Sequence, residues 1–179
     1  RVLFRSEPPF VADFATTTAA NGKLEILQRK KQDAPIGWVQ TAEGQPSCDA
    51  DILKRNGSLL PLGSDVEGSS HKGYALGSIV DIFSGVLSGA NYGPWVPPFV
   101  SFLSPPADPV GDGIGHFFGA MRVDAFRPAD EFKLHMDKWI TRFREAKTIE
   151  GQDHLIIPGD PERESEKQRM QEGIPLNLK

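Results

Sequence analysis

Apolar and polar positions fall into blocks along this chain, and only some of the blocks hold a clean period. The clearest covers residues 128–147. Phe132, Met136, Trp139, Ile140 and Phe143 recur at i, i+4, i+7, i+8 and i+11, which sets them on one helical face. Pro128, Asp130 and Glu131 open this helix, and Arg142, Arg144 and Lys147 close it, each with the charge its end of the dipole favours. A second helix is predicted over residues 16–31, with Leu24, Ile26 and Leu27 as its apolar face and Arg29, Lys30 and Lys31 at its end. A third is predicted over residues 72–90. Leu76, Ile79, Val80, Ile82, Phe83, Val86 and Leu87 make it apolar nearly all round, so it should be buried. Small residues from Gly77 to Gly89 would let another element approach it closely, and Asp81 reads there as a hydrogen-bonded or edge carboxylate. A charged helix over residues 162–172 is stopped by Gly173.

Three short apolar runs read as strands: residues 10–14, 115–123 and 155–157. His116 would be a core or edge residue of the second run. Residues 33–61 are rich in Gly, Pro, Asp and Ser and predict loop with short extended pieces. Residues 91–115 hold so many prolines that long regular elements are excluded. A loop of that length in a compact chain usually has a function or meets a neighbour. Trp95, Phe99 and Phe102 could anchor it to a neighbour or to its own domain.

Composition narrows the classes. The 179 residues are enough for one domain with a real core, or slightly more. A net charge of −4 gives no basic surface for nucleic acid or an anionic membrane. Cys48 is the one cysteine, which excludes an internal disulfide and a Cys-rich zinc site, and no metal ligand set is assigned. No apolar run reaches the roughly 20 residues of a membrane-spanning helix. Arg1-Val2-Leu3-Phe4-Arg5 lacks the long apolar core of a secretory signal. No G-x-G-x-x-G follows a strand, so a Rossmann dinucleotide site is not supported, and no P-loop, H-E-x-x-H or G-x-S-x-G is present.

The candidate chemistry begins at Ser70-His71-Lys72-Gly73-Tyr74-Ala75-Leu76, a polar loop feeding an apolar helix. Such a junction favours anions through its free N–H groups and dipole, and Lys72 adds a full charge; a solvated helix cap explains the same residues. This segment, together with Ser84-Gly85-Val86-Leu87-Ser88-Gly89, resembles the HKGYG…SGVLSG stretch of the type 2 malate/L-lactate dehydrogenase family. Pro9-Phe10-Val11-Ala12-Asp13-Phe14-Ala15-Thr16-Thr17, Asn21-Gly22-Lys23, Ile36-Gly37-Trp38-Val39 and Leu59-Leu60-Pro61-Leu62-Gly63 match further landmarks of that family in order. So do Pro158-Gly159-Asp160-Pro161-Glu162, Arg169 and Gly173-Ile174-Pro175-Leu176. Ala75 stands where the family commonly has Gly, and Asp160 where it commonly has Glu.

The resemblance implies an α/β fold without a Rossmann sheet: a largely antiparallel sheet flanked by helices, usually in a homodimer. It implies a cytoplasmic oxidoreductase that passes a hydride between the nicotinamide of NAD, with NADP as the alternative, and C2 of a small 2-hydroxyacid or 2-oxoacid. Cyclic imines and ureido- or sulfo-substituted hydroxyacids are variants of the same chemistry. The whole chain, 1–179, then reads as the cofactor-binding and C-terminal part of such an enzyme. The family's N-terminal region, with its general acid/base His, is expected outside it, so no catalytic residue is assigned. Under that reading apolar surface on the Ile79–Leu87 helix and on the first strand is expected to be exposed, and the chain alone is expected not to turn over.

The residues implied at the cofactor are Asp13, Phe14 and Ala15; Lys72; His135, Met136 and Asp137; and Gly159, Asp160, Pro161, Glu162, Arg163 and Glu164. Each also has a plainer explanation. Asp13 could cap the following helix. Met136 lies on the apolar stripe and His135 at its edge. Asp160 and Glu162 complement a helix dipole without any ligand. A non-catalytic dimerisation or ligand-binding module on the same scaffold therefore stays open beside the enzyme.

Overall fold

Residues 6–98 and 104–176 are described by the structure, a computed structural model. They divide into two compact units: Ala15–Gly119, and the residues up to Phe14 together with those from Ala120 onward. Phe99 and Phe102 lie outside the described residues.

In the Ala15–Gly119 unit, helix α1 spans Asn21–Lys30 and ends where Lys31 turns into the left-handed region at φ 53°. The predicted start at residue 16 is corrected. Thr18 N–H donates to the Leu60 carbonyl (2.9 Å), Leu62 N–H to the Thr16 carbonyl (3.0 Å), and Thr18 Oγ1 to the Pro61 carbonyl (2.6 Å). Three successive β-branched residues, stiff at χ1, are drawn into this extended pairing instead of a helical turn. Strands β1 (Val39–Gln40), β2 (Pro46–Ser47) and β3 (Ser58–Leu59) form a small antiparallel sheet in the order β2-β1-β3. Val39 sits opposite both Ser47 and Leu59. The sheet covers one side of a core made of Leu24, Ala34, Val39 and Ile52, with Leu27, Trp38, Leu53 and Leu59 packed around it. Ile26 turns away from that core and is 50% exposed.

Helix α2 spans Ser70–Asp81 and runs on into a single π-helical turn, Ile82–Val86. Its first turn lies directly on the 61–63 backbone, because Gly73 is buried and has no Cβ to hold the two apart. The prediction of one buried helix over residues 72–90 is corrected on both counts. Ile79, Val80, Ile82, Phe83, Val86 and Leu87 are each 43–66% exposed, with Phe117 packed 4.9 Å from Phe83. Asp81 accepts the Gly93 N–H at 2.9 Å. Asn91 is buried and fully used: its Oδ1 accepts the N–H groups of Val110 (3.0 Å) and Gly111 (2.9 Å), and its Nδ2 donates to the Gly113 carbonyl (3.1 Å). The near end of the long proline loop is thus tied to the last residue of α2, and its far described end to Gly89 and Asn91.

Residues 115–123 do not form the predicted strand. No strand among the described residues offers them a ladder, Phe117, Phe118 and Met121 are exposed, and a 3-10 turn takes over at Val123–Ala125. His116 is exposed and stacks on Phe118.

In the other unit, α3 spans Ala129–Arg144 and α4 spans Asp160–Glu172. The α3 stripe is as predicted in direction: Ile140 is fully buried, and Phe10 meets Trp139 edge-on at 5.9 Å. Trp139 and Phe143 pack on each other at 4.5 Å while each stays about two-fifths exposed. The predicted strands over 10–14 and 155–157 are extended without being ladder strands; Val11 N–H donates to the Pro158 carbonyl at 3.2 Å. Two short runs with a single cross-link between them do not fill a sheet. No helix among the described residues is long and apolar enough to cross a membrane.

Candidate functional site

The junction into α4 is built from its own residues. Gly159 is buried at φ 100°, a region that L side chains rarely adopt, and a Cβ there would lie 2.7 Å from Arg163 Nη1. The glycine therefore allows both the sharp turn and the guanidinium seated against it. Asp160 closes the turn. Its N–H donates to the Ile157 carbonyl (2.9 Å), and its Oδ2 accepts the Ile157 N–H (3.1 Å). Its Oδ1 accepts from Arg163 Nη2 (2.5 Å) and from Arg144 Nη2 (3.3 Å). Arg144 also pairs with Glu7, and Arg163 Nη1 donates to the Pro9 carbonyl (3.0 Å). Burial pulls the Asp160 carboxyl upward, but the Arg163 bond, the Ile157 amide and the two guanidinium charges outweigh it and hold it below the ordinary aspartate range.

This network borders a cleft of about 370 Å³. Val11, Ile156, Pro158 and Pro161 supply apolar walls, and Asp13, Glu162, Glu166 and Arg163 supply charge. Arg163 is the only cation among the described lining residues, and its donors already face Asp160 and Pro9. The open functionality is thus three carboxylates over apolar walls. Such a cleft suits a flat apolar group carrying hydroxyl donors. A volume near the lower end of the ligand-site range, roughly 300–1,000 Å³, suits one nucleoside rather than a whole dinucleotide.

Among the residues singled out from sequence, Asp13, Gly159, Pro161, Glu162 and Arg163 come together around the cleft. Asp160 stands behind it, with both carboxylate oxygens committed to the turn. Phe14 is 63% exposed and Glu164 is exposed; neither lines the cleft. His135 is exposed and Met136 half-buried on α3, and neither lines it. Asp137 accepts from Ser6 Oγ (2.8 Å) and the Ser6 N–H (3.2 Å), holding the 6–10 segment to α3. Ala15 and Lys72 belong to the other unit. There Lys72 is exposed, with no ion pair among the described residues, while His71 and Tyr74 line a separate cleft of about 420 Å³.

Sequence reasoning missed Glu166 and the supporting pair Glu7 and Arg144. Glu166 had a usable signal, since it repeats Glu162 one helical turn on and so shares its face. Arg144 carries only the local signal of a dipole complement. Its partner lies 137 residues away, beyond any local pattern.

The malate/L-lactate dehydrogenase family model matches residues 4–179. The chain is 32% identical over 172 residues to a malate dehydrogenase of Pyrococcus abyssi, covering 96% of this chain and 45% of the relative. It is 30% identical over 128 residues to a Delta(1)-pyrroline-2-carboxylate reductase of Agrobacterium fabrum, covering 70% and 34%. The crystal structure of malate dehydrogenase from Entamoeba histolytica superposes with a TM-score of 0.76 at 28% identity, over 95% of this chain and 47% of that one. The matches thus span between a third and just under half of the length of these relatives. With the family model matched over nearly all of its length, the chain belongs to the malate/L-lactate dehydrogenase family.

Proposed function

We propose that this chain is the cofactor-holding part of a nicotinamide-dependent oxidoreductase that interconverts a 2-oxoacid and a 2-hydroxyacid. The observation that carries the reading is the cleft at the start of α4. It gathers Asp13 from one end of the chain and Gly159, Pro161, Glu162 and Arg163 from the other, five residues the family resemblance implies at the cofactor.

The carboxylate acceptors and apolar walls fit the adenosine end of a dinucleotide. Val11, Ile156 and Pro161 would flank the base. Glu162, with Asp13 across the cleft, would accept from the ribose hydroxyls, as acidic residues do in other dinucleotide sites. Asp160 would act from behind by fixing the turn. Lys72 would bring a point charge to an anion, either the pyrophosphate or the substrate carboxylate. The site would be built without a Rossmann sheet. A nicotinamide held there would provide the hydride chemistry, and the substrate oxygen would then exchange one proton with a general acid/base. That group, a His in the resemblance, would come from sequence outside this chain. The exposed Ile79–Leu87 face would be covered in a homodimer.

The carboxylate-lined cleft supports NAD over NADP, because a 2′-phosphate would meet like charge. The test is NADH oxidation by the full-length protein over a panel of 2-oxoacids, with cyclic imino acids included because one relative is named for such a substrate. Turnover of at least one is the expected result. No turnover of any, with the protein folded, favours an inert scaffold and refutes the reading.

A further inference from the structure

We propose that Asp160 selects between the two nicotinamide dinucleotides by holding the Arg163 guanidinium out of the ligand's reach. The inference rests on the reading of the cleft as the adenosine site and goes on to name the device that sets its selectivity.

Arg163 is the one cation among the described residues lining the cleft. A guanidinium there would ordinarily be a ready 2′-phosphate clamp, because its planar fork binds phosphate oxygens in pairs. In this structure both terminal nitrogens of the fork are already engaged. Nη2 lies 2.5 Å from Asp160 Oδ1, and Nη1 donates to the Pro9 carbonyl at 3.0 Å. The side chain lies against Gly159, where even a methyl group would not fit between them. Asp160 is itself held from two further sides, by the Ile157 N–H and by Arg144, which in turn pairs with Glu7. Two acids and two bases thus form a neutral, part-buried quartet, of which Arg163 alone lines the cleft. What faces the ligand is Asp13, Glu162 and Glu166, a set that accepts from a ribose diol and repels a phosphate.

Asp160 therefore acts through Arg163 and is a positioning residue. Asp160→Asn keeps the size of the side chain and an oxygen for the Ile157 N–H, but removes the charge that captures Arg163. The quartet is then left with an excess positive charge, and its most cleft-ward member is the guanidinium. A side chain that merely stiffened the turn would change binding of both cofactors together; this one changes their ratio.

The experiment measures the dissociation constants of NADH and NADPH by nicotinamide fluorescence in the absence of substrate, and kcat/KM for each with one 2-oxoacid, in the full-length protein; the binding ratio and the kinetic ratio should shift together. The wild type should prefer NADH. Asp160→Asn should raise the NADPH-to-NADH ratio by about tenfold or more, chiefly through KM for NADPH, as expected when the freed guanidinium forms one charge-assisted hydrogen bond to the 2′-phosphate. The double variant Asp160→Asn/Arg163→Gln should return the ratio to the wild-type value. Equal changes for both cofactors in Asp160→Asn, or a shifted ratio that survives loss of Arg163, overturns the proposal. If Asp160→Asn does not fold, Arg163→Gln alone decides. The loosened wall should raise both KM values by a similar factor and leave the ratio within about twofold. A selective loss of NADPH would show the guanidinium already on the phosphate and overturn the proposal, as would a wild type that prefers NADPH. Failure of the wild type with both cofactors is a different result, and it strikes the proposed function itself.

Discussion

Gly73→Ala sets two opposing effects against each other at the turn that presents His71 and Lys72. In a helix, alanine is favoured over glycine by about 0.8–1.0 kcal/mol. At Gly73, however, a Cβ would lie 2.1 Å from the Leu62 carbonyl oxygen and 2.5 Å from the Leu62 nitrogen. Both atoms are backbone, so no flexible side chain can swing away, and α2 or the 61–63 segment must shift. Overpacking of this kind costs about 1–3 kcal/mol, and a backbone-on-backbone clash belongs in the upper part of that range. The clash wins by about 1–2 kcal/mol, which for a chain of this size lowers Tm by roughly 2–8 °C. Gly22→Ala is the matched control. Gly22 lies in α1 with nothing within 4 Å of an added Cβ, so the propensity gain stands alone and Tm should rise by about 1–4 °C. Thermal unfolding followed by circular dichroism reads both. Shifts of the same sign in the two variants would refute the close-packing account of Gly73.

Three further outcomes are expected. Asn91→Ala removes the buried side chain that accepts from the part-buried Val110 and Gly111 N–H groups, so stability should fall by about 1–3 kcal/mol and limited proteolysis should cut within residues 104–115 sooner; an unchanged cleavage rate would contradict the fastening role. The Asp160 carboxyl is held below its ordinary value near 3.8, so its stabilising contribution is full above that value and is lost as pH falls through the lower folded-state value. In urea titrations the gap between wild type and Asp160→Asn should accordingly be open at neutral pH and close at strongly acidic pH, and a gap independent of pH would count against the ion-pair network. Lys72→Ala should lower kcat/KM about ten- to a hundredfold with little change in Tm, because the exposed ammonium has no ion pair among the described residues to lose; a large fall in Tm would point to a capping role instead.

What the chain makes legible follows the range of the forces involved. The α3 stripe is legible because a period of 3.6 is written in Phe132, Met136 and Ile140 themselves, and the α4 stop because Gly173 ends it locally. The runs at 10–14, 115–123 and 155–157 have strand-like composition, but a strand exists only where a partner edge is available, and none is supplied to these runs by the described residues. The apolar face of α2 promises burial, yet composition records what a surface would bury and not whether anything covers it. At the site, the turn residues announce themselves by spacing. The division of labour between Asp160, tied to the turn, and Glu162, open to the cleft, depends on Arg144 and on its partner Glu7, which lies across most of the chain.

The central claim is that the cleft at the start of α4 holds a nicotinamide dinucleotide through Asp13 and Glu162. It is tested most directly by titrating the purified protein with NADH and following nicotinamide fluorescence, alongside the Asp13→Asn/Glu162→Gln variant. The account predicts a saturable change for the wild type and binding about ten- to a hundredfold weaker for the variant, with circular dichroism unchanged. No change in fluorescence for the wild type, or equal affinity in the folded variant, would contradict it.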